Sequence, residues 1–200
     1  MEQLADAVLG LAESAWVYPV VFALTVADAF LVIVPSETVV VSLAALSASG
    51  GHPNLALLIP VAAVAAIIGD SLTYFLGRAI GVDRFGWMRR PRIAAAIGWA
   101  TTALDRRAAV VLLTARFVPF GRIAVNLTAG ATGFNYARFL VLTIIAGCAW
   151  ALYNVAIGAM FGTWFSENPL LAVALSIVVA IGLGIFADVV SSRISRGRIS

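Results

Sequence analysis

Two arginines, Arg116 and Arg122, lie on either side of a helix-breaking Pro119-Phe120-Gly121 sequence. The apolar run around them extends over about residues 108–134. A guanidinium group stays charged, and its planar fork can bind a phosphate through two parallel hydrogen bonds. Helix ends exposed at such a break add partial charges that favour bound ions. The sequence predicts that both arginines bind an ion or a polar headgroup, and it leaves open that they only pair with acidic residues.

Three acidic residues also fall within apolar segments, at Asp28, Glu37 and Asp70. Charge at membrane depth is costly and usually marks a pathway for ions or polar groups. Burial favours the protonated form of a carboxyl group, whereas a neighbouring arginine favours the ionised form. One of these acids is therefore predicted to exchange protons near neutral pH. Glu37 is the first candidate because it follows Pro35 at a break where water can reach it. For Asp70 and Asp28, a purely structural pairing with arginine is the alternative.

The composition is that of an integral membrane protein with a single membrane domain, residues 1–200. Of 200 residues, 62% are hydrophobic and 12% charged, and the mean hydropathy is +1.02. The net charge of +3 comes from arginine, because the chain contains no lysine. This usage points to a bacterial plasma membrane, and the positive balance indicates topology, with no nucleic-acid partner expected. The single histidine and single cysteine predict no metal site, and no cofactor is expected.

Two apolar runs, residues 18–49 and 108–134, have lengths between one and two membrane crossings. One crossing needs about 20 apolar residues. Each run has a proline near its middle, so each is predicted to enter the bilayer, break, and leave on the same side. Such a re-entrant hairpin requires that its broken backbone be buried in protein or line a wet cavity. The remaining segments are an interfacial helix at 1–17, a basic amphipathic segment at 82–107, spans at 55–80, 139–165 and 170–190, and a tail at 191–200.

The predicted fold is thus an all-α polytopic membrane protein built from two inverted repeats and a C-terminal transmembrane helix. Each repeat is a hairpin followed by a span that ends in G-x-x-x-G, at Gly77/Gly81 and again at Gly158/Gly162. The positive-inside rule places 82–107 and the C-terminus in the cytoplasm, so the two hairpins enter from opposite faces. Inverted repeats with broken helices are a recurrent transporter architecture. The G-x-x-x-G pairs fit packing within the chain as well as a homodimer.

Several motifs resemble those of the DedA family, also called SNARE-associated or VTT-domain membrane proteins. The segment from Arg116 to Arg122, followed by Ala129-Gly130, looks like the family pattern R-[FY]-x-P-x-x-R with a downstream A-G. The segment 69–78 is similar to the family's G-[DN]-x-x-x-Y-x-x-G-R. Asp28 and Pro35-Ser36-Glu37 look like the acidic positions of its first hairpin. The prolines and glycines of these motifs are Pro35, Gly69, Gly77, Pro119, Gly121 and Gly130.

The resemblance implies a flippase or scramblase that moves a phosphate-bearing lipid between leaflets, with polyprenyl phosphate and phosphatidylethanolamine as the substrates and with suspected proton coupling. From the residues alone, a proton-coupled small-ion transporter is the alternative, because the same buried acids would serve it. An enzyme is disfavoured because no histidine or cysteine lies near an acid in the sequence. Membrane lipids and protons are the partners expected.

The topology can be tested by labelling single cysteines in a Cys148→Ser background with an impermeant thiol reagent. Cysteines in the 50–54 loop and at position 167 should react from outside the cell, whereas those at positions 90 and 197 should not. The reason is the clustering of arginine in 82–107 and in the tail. Labelling of position 90 from outside would contradict the inverted-hairpin arrangement.

Overall fold

The computed structural model describes residues 10, 12–31, 36–82, 91–116 and 121–164, with backbone alone at 91–96. Across this part of the chain the regular structure is entirely helical, which confirms the all-α class. The helices are α1 (Val17–Asp28), α2 (Ser36–Gly50), α3 (Leu55–Ile80), α4 (Pro91–Ala115), α5 (Gly121–Ala131) and α6 (Tyr136–Trp164). Outside the described residues lie Pro35, Pro119, the 170–190 span, the 191–200 tail, residues 83–90 and most of the predicted interfacial helix.

Two helices, α3 and α6, are long and apolar enough to cross a membrane. Their 26 and 29 residues correspond to about 39 and 43 Å at 1.5 Å per residue, against a hydrocarbon core of about 30 Å. Large apolar side chains remain exposed along both helices, among them Leu72, Phe75, Ile145 and Leu152. Lipid is the solvent that such surfaces require, and the chain is accordingly a membrane protein.

The chain divides into two compact units. The first contains α1, α2, α3 up to Ala66, and α6 from Gly147 onwards. Its buried core includes Val21, Val40, Leu58, Trp150 and Val155. The second contains α3 from Ile67 onwards, α4, α5, and α6 up to Ala146. Its buried core includes Tyr74, Leu104, Leu112, Phe134 and Phe139.

In the first unit, α6 packs so closely against α2 that their backbones are in contact. A Cβ atom placed at Gly158 would collide with the backbone of Val41, and one placed at Gly162 would collide with the backbone of Ala45. Small residues at such positions let two backbones approach, which is how helices commonly pack in membranes. Ala44 and Ala48 complete the contact surface on α2.

In the second unit, α3 and α5 approach each other in the same manner. A Cβ atom at Gly77 of α3 would collide with the backbone of Leu127, and one at Gly130 of α5 would collide with the backbone of Tyr74. In both units, therefore, a glycine of a long helix lies against the backbone of a short one. Both α3–α5 glycines belong to the motifs singled out in the sequence.

Helix α4 is kinked at Arg107, whose φ of −145° and ψ of 42° are not helical. Before the kink, Trp99 is 72% exposed and Arg106 is exposed. After the kink, Ala108, Leu112 and Ala115 are buried. Leu104, before the kink, belongs to the same buried core, so the segments on both sides of the kink pack into the core of the second unit.

The glycine contact between α3 and α5 predicts a sharp difference between two Gly→Ala substitutions. Gly130→Ala should destabilise the protein by about 1–3 kcal/mol, because the new methyl group forces the two helices apart. Gly98→Ala, in an exposed part of α4 with no atom within 4 Å, should be neutral or stabilising by up to about 1 kcal/mol through helix propensity. Thermal unfolding in detergent measures both, and equal midpoints would contradict the close approach.

Candidate functional site

Asp70, in the middle of α3, is the centre of a polar cluster in the second unit, and it is only 3% exposed. Arg116 Nη1 donates to Asp70 Oδ2 at 2.6 Å, and Asn126 Nδ2 donates to Asp70 Oδ1 at 2.9 Å. Arg122 Nε lies 3.8 Å from the same Oδ1. One carboxylate therefore joins α3 to the end of α4 and to α5.

The electrostatics of this cluster follow from its burial. The side chains of Arg116 and Asp70 are each 4% exposed and that of Arg122 is 13% exposed. In such surroundings a charge is tolerated only when it is paired and hydrogen-bonded. Asp70 supplies such a pairing for Arg116 and lies within ion-pair distance of Arg122.

The sequence brings these groups together through helix spacing. Arg116 directly follows the last residue of α4, and Arg122 is the second residue of α5, after Gly121. Arg122 and Asn126 are four residues apart, so they share one face of α5. That face meets Asp70, because Gly130, one turn beyond Asn126, lets α5 lie directly on α3.

One turn beyond Asp70, Tyr74 fixes α3 against the connection between α5 and α6 and against the start of α6. Its hydroxyl group donates to the carbonyl oxygen of Phe134, and Arg78 Nη1 donates to the Tyr74 hydroxyl oxygen at 3.3 Å. The Tyr74 ring is fully buried, with its centroid 4.7 Å from that of Phe139. These contacts fix the position of α3 near Asp70.

The other two predicted acids belong to the first unit. Asp28, the last residue of α1, is buried and accepts a hydrogen bond from Ser36 Oγ at 2.7 Å. Ser36 is the first residue of α2, so this bond closes the connection between the two helices. Glu37 follows in the first turn of α2 and is half-buried. Of the predicted charged residues, Asp70, Arg116 and Arg122 are those that the second unit brings together.

Three partners in these contacts, Asn126, Ser36 and Tyr74, were not among the predicted site residues. The four-residue spacing of Asn126 from Arg122 was the available signal for the first. The Asp28–Ser36 bond carries no comparable signal, because it depends on how the chain turns between α1 and α2. Tyr74 lies inside the G-[DN]-x-x-x-Y-x-x-G-R motif, one turn from Asp70, and this spacing could have indicated their shared face.

The fold and the site define a class of protein. It is a helical membrane protein in which two arginines lie beside one buried carboxylate. The family model described as the VTT domain matches residues 34–160 of the chain. The chain belongs to this family, the DedA family, as the sequence motifs predicted.

Three relatives illustrate the range of the family. An uncharacterized membrane protein of Mycobacterium tuberculosis is 29% identical over 191 residues, covering 88% of this chain and 85% of the relative. The protein DedA of Escherichia coli is 26% identical over 177 residues, covering 85% and 81% respectively. Undecaprenyl phosphate transporter A of Bacillus subtilis is 27% identical over 116 residues, covering 53% and 57%. No solved structure matches the chain significantly.

The arginine–carboxylate cluster predicts that Asp70→Asn is strongly destabilising. Removal of one partner of a buried ion pair leaves an uncompensated charge, at a cost of about 3–5 kcal/mol. The matched control is Asp105→Asn, the same chemical change at an exposed position of α4, which should shift stability by no more than about 0.5 kcal/mol. Thermal unfolding in detergent compares the two, and similar midpoints would mean that Asp70 is not the counter-ion of the arginines.

Proposed function

We propose that this protein moves a phosphate-bearing lipid between the two leaflets of the membrane, as a flippase or scramblase, and that Arg116 and Arg122 bind the headgroup phosphate. The observation that carries this proposal is the placement of two buried guanidinium groups beside the same carboxylate, that of Asp70. A guanidinium group that binds a carboxylate also matches the geometry of a phosphate.

The substrate class rests on a relative as well as on the site. One of the curated relatives is named an undecaprenyl phosphate transporter. A polyprenyl phosphate combines a long apolar chain with a small anionic headgroup, and only the headgroup needs a polar path through the bilayer. We therefore propose polyprenyl phosphate as the substrate, with phosphatidylethanolamine as the second lipid to test.

Two re-entrant hairpins are proposed, α1 with α2 in the first unit and the part of α4 after Arg107 with α5 in the second unit. Supporting this, α1, α2 and α5 have 12, 15 and 11 residues, or about 17–23 Å at 1.5 Å per residue, less than the hydrocarbon thickness of about 30 Å. The kink at Arg107 supports a turn from the membrane surface into the bilayer. The glycine contacts of α3 with α5 and of α6 with α2 support an inverted repeat. Residues 82–107 and the C-terminus are proposed to lie in the cytoplasm.

Proton coupling is proposed through Glu37. Its half-buried position in the first turn of α2 gives its carboxyl group access to water, unlike the buried Asp28 nearby in the chain. A carboxyl group between water and an apolar interior can change its protonation when its surroundings change. Asp70 and Asp28 are the next candidates. Protons and the lipid are thus the proposed partners, and a homodimer is left as a possibility for the intact protein.

The headgroup role predicts that Arg116→Lys and Arg122→Lys each impair transport, although lysine keeps the positive charge. Lysine cannot reproduce the planar two-bond contact with phosphate, and the loss of one charge-assisted hydrogen bond, at about 1.5 kcal/mol, corresponds to roughly a tenfold change. The assay is leaflet exchange of polyprenyl phosphate in liposomes. Arg106→Lys, at an exposed position of α4, is the control that should exchange lipid at the wild-type rate.

Wild-type rates with lysine at both buried positions would remove the headgroup role. The same liposomes, loaded for an ion-flux measurement, separate lipid transport from the alternative of small-ion transport. Ion flux without lipid exchange would favour that alternative.

The coupling role predicts that Glu37→Gln flattens the pH dependence of lipid exchange between about pH 6 and 8. Glutamine keeps the shape and the hydrogen-bonding capacity of the side chain but cannot ionise. Glu13→Gln, at an exposed position before α1, is the matched control and should leave the profile unchanged. Full activity and an unchanged profile for Glu37→Gln would exclude Glu37 and direct the search to Asp70 and Asp28.

A further inference from the structure

We propose that Asp70 is an internal stand-in for the substrate phosphate, and that the arriving headgroup displaces its carboxylate from Arg116 and Arg122. In this exchange one anion replaces another on the same two guanidinium groups. The inference rests on the proposed function, and it names Asp70 as the group that occupies the two arginines when no lipid is bound.

The contacts of Asp70 are those that a phosphate group would make. One carboxylate oxygen, Oδ2, accepts from Arg116 Nη1 at 2.6 Å, and the other, Oδ1, lies 3.8 Å from Arg122 Nε. Oδ2 thus accepts a hydrogen bond from one guanidinium group, and Oδ1 lies within ion-pair distance of the other. A phosphate oxygen is an acceptor of the same kind, and arginine binds carboxylate and phosphate with the same fork geometry.

Burial and charge favour an exchange, in which the phosphate replaces the carboxylate of Asp70, over the binding of phosphate beside that carboxylate. The side chains of Asp70 and Arg116 are each 4% exposed, so water screens their surroundings weakly. A phosphate placed on both arginines beside an ionised carboxylate would set two negative charges at close range in a medium of low dielectric constant, where repulsion is strong. The headgroup and the ionised Asp70 therefore exclude each other from the guanidinium groups.

Asn126 allows Asp70 to give up the arginines without a movement of the backbone. Its Nδ2 donates to Asp70 Oδ1 at 2.9 Å and carries no charge, so it has no electrostatic reason to follow the phosphate. Asp70 therefore keeps one hydrogen-bond partner after both arginines have turned to the headgroup. This remaining bond offsets part of the cost of leaving a buried carboxyl group without its arginines.

The exchange makes a prediction opposite to that of a purely structural ion pair. Asp70→Asn removes the internal competitor. The Kd for polyprenyl phosphate in nanodiscs should therefore fall by about tenfold, because an ionised carboxylate no longer competes with the phosphate for the two arginines. Transport should slow, because nothing displaces the bound phosphate. Asp105→Asn should change neither quantity. A Kd that is unchanged or higher in Asp70→Asn would overturn the exchange.

Inorganic phosphate serves as a second probe in the same titration. Tighter binding of both probes by Asp70→Asn assigns the effect to the phosphate group itself, whereas tighter binding of the lipid alone means that its chain is needed to reach the arginines. Both results support the exchange, and they identify which source of phosphate the site accepts.

A measurement on the wild-type protein covers the case in which Asp70→Asn does not fold. A hydrophobic carbodiimide modifies buried carboxyl groups that are not held in an ion pair, and mass spectrometry locates the product. Saturating polyprenyl phosphate should increase labelling of Asp70 at least about fivefold, a coupling of the usual allosteric size. Unchanged or reduced labelling would overturn the exchange. Failure of the proposed function would be distinguishable, because Arg116→Lys would then leave lipid binding and transport intact.

Discussion

The ion pair between Arg116 and Asp70 is the interaction on which the second unit depends. Each partner is almost completely buried, where a charge requires pairing and hydrogen bonds. Because Asp70 also holds Asn126 and lies beside Arg122, a single carboxylate fixes the positions of three helices. The close contact of α5 with α3 at Gly130 and the hydrogen bond of Tyr74 act in the same direction. Packing and charge pairing therefore specify one arrangement together.

The two units use the same packing device with different polar chemistry. In each, a glycine of a long helix lies against a short helix, which brings backbones into contact. At the connection of the short helices in the first unit, a carboxylate accepts from a serine hydroxyl group. In the second unit, a carboxylate accepts from an arginine. The contact in the second unit is thus a charge-assisted hydrogen bond from a guanidinium group, the kind of donor that also binds phosphate.

Much of the helical structure could be predicted from the sequence, because the helices follow from apolar runs and their interruptions. The 55–80 span coincides with α3, and the predicted 139–165 span is within three residues of α6 at each end. The pairing of Arg116 and Arg122 with Asp70 was among the alternatives, whereas the choice among three acids needed coordinates. The Asp28–Ser36 bond was beyond sequence reasoning, since it depends on the path of the chain between two helices.

The separation of the site residues along the chain has a consequence for how the protein is made. Asp70 is synthesised more than forty residues before Arg116, so α3 must enter the membrane while its central carboxyl group has no partner. An acidic residue at the centre of a span costs about 2.5–3.5 kcal/mol during insertion. The many leucine, isoleucine, valine and alanine residues of α3 offset that penalty. Co-translational insertion must therefore bring this acidic residue into the bilayer before its arginine has been synthesised.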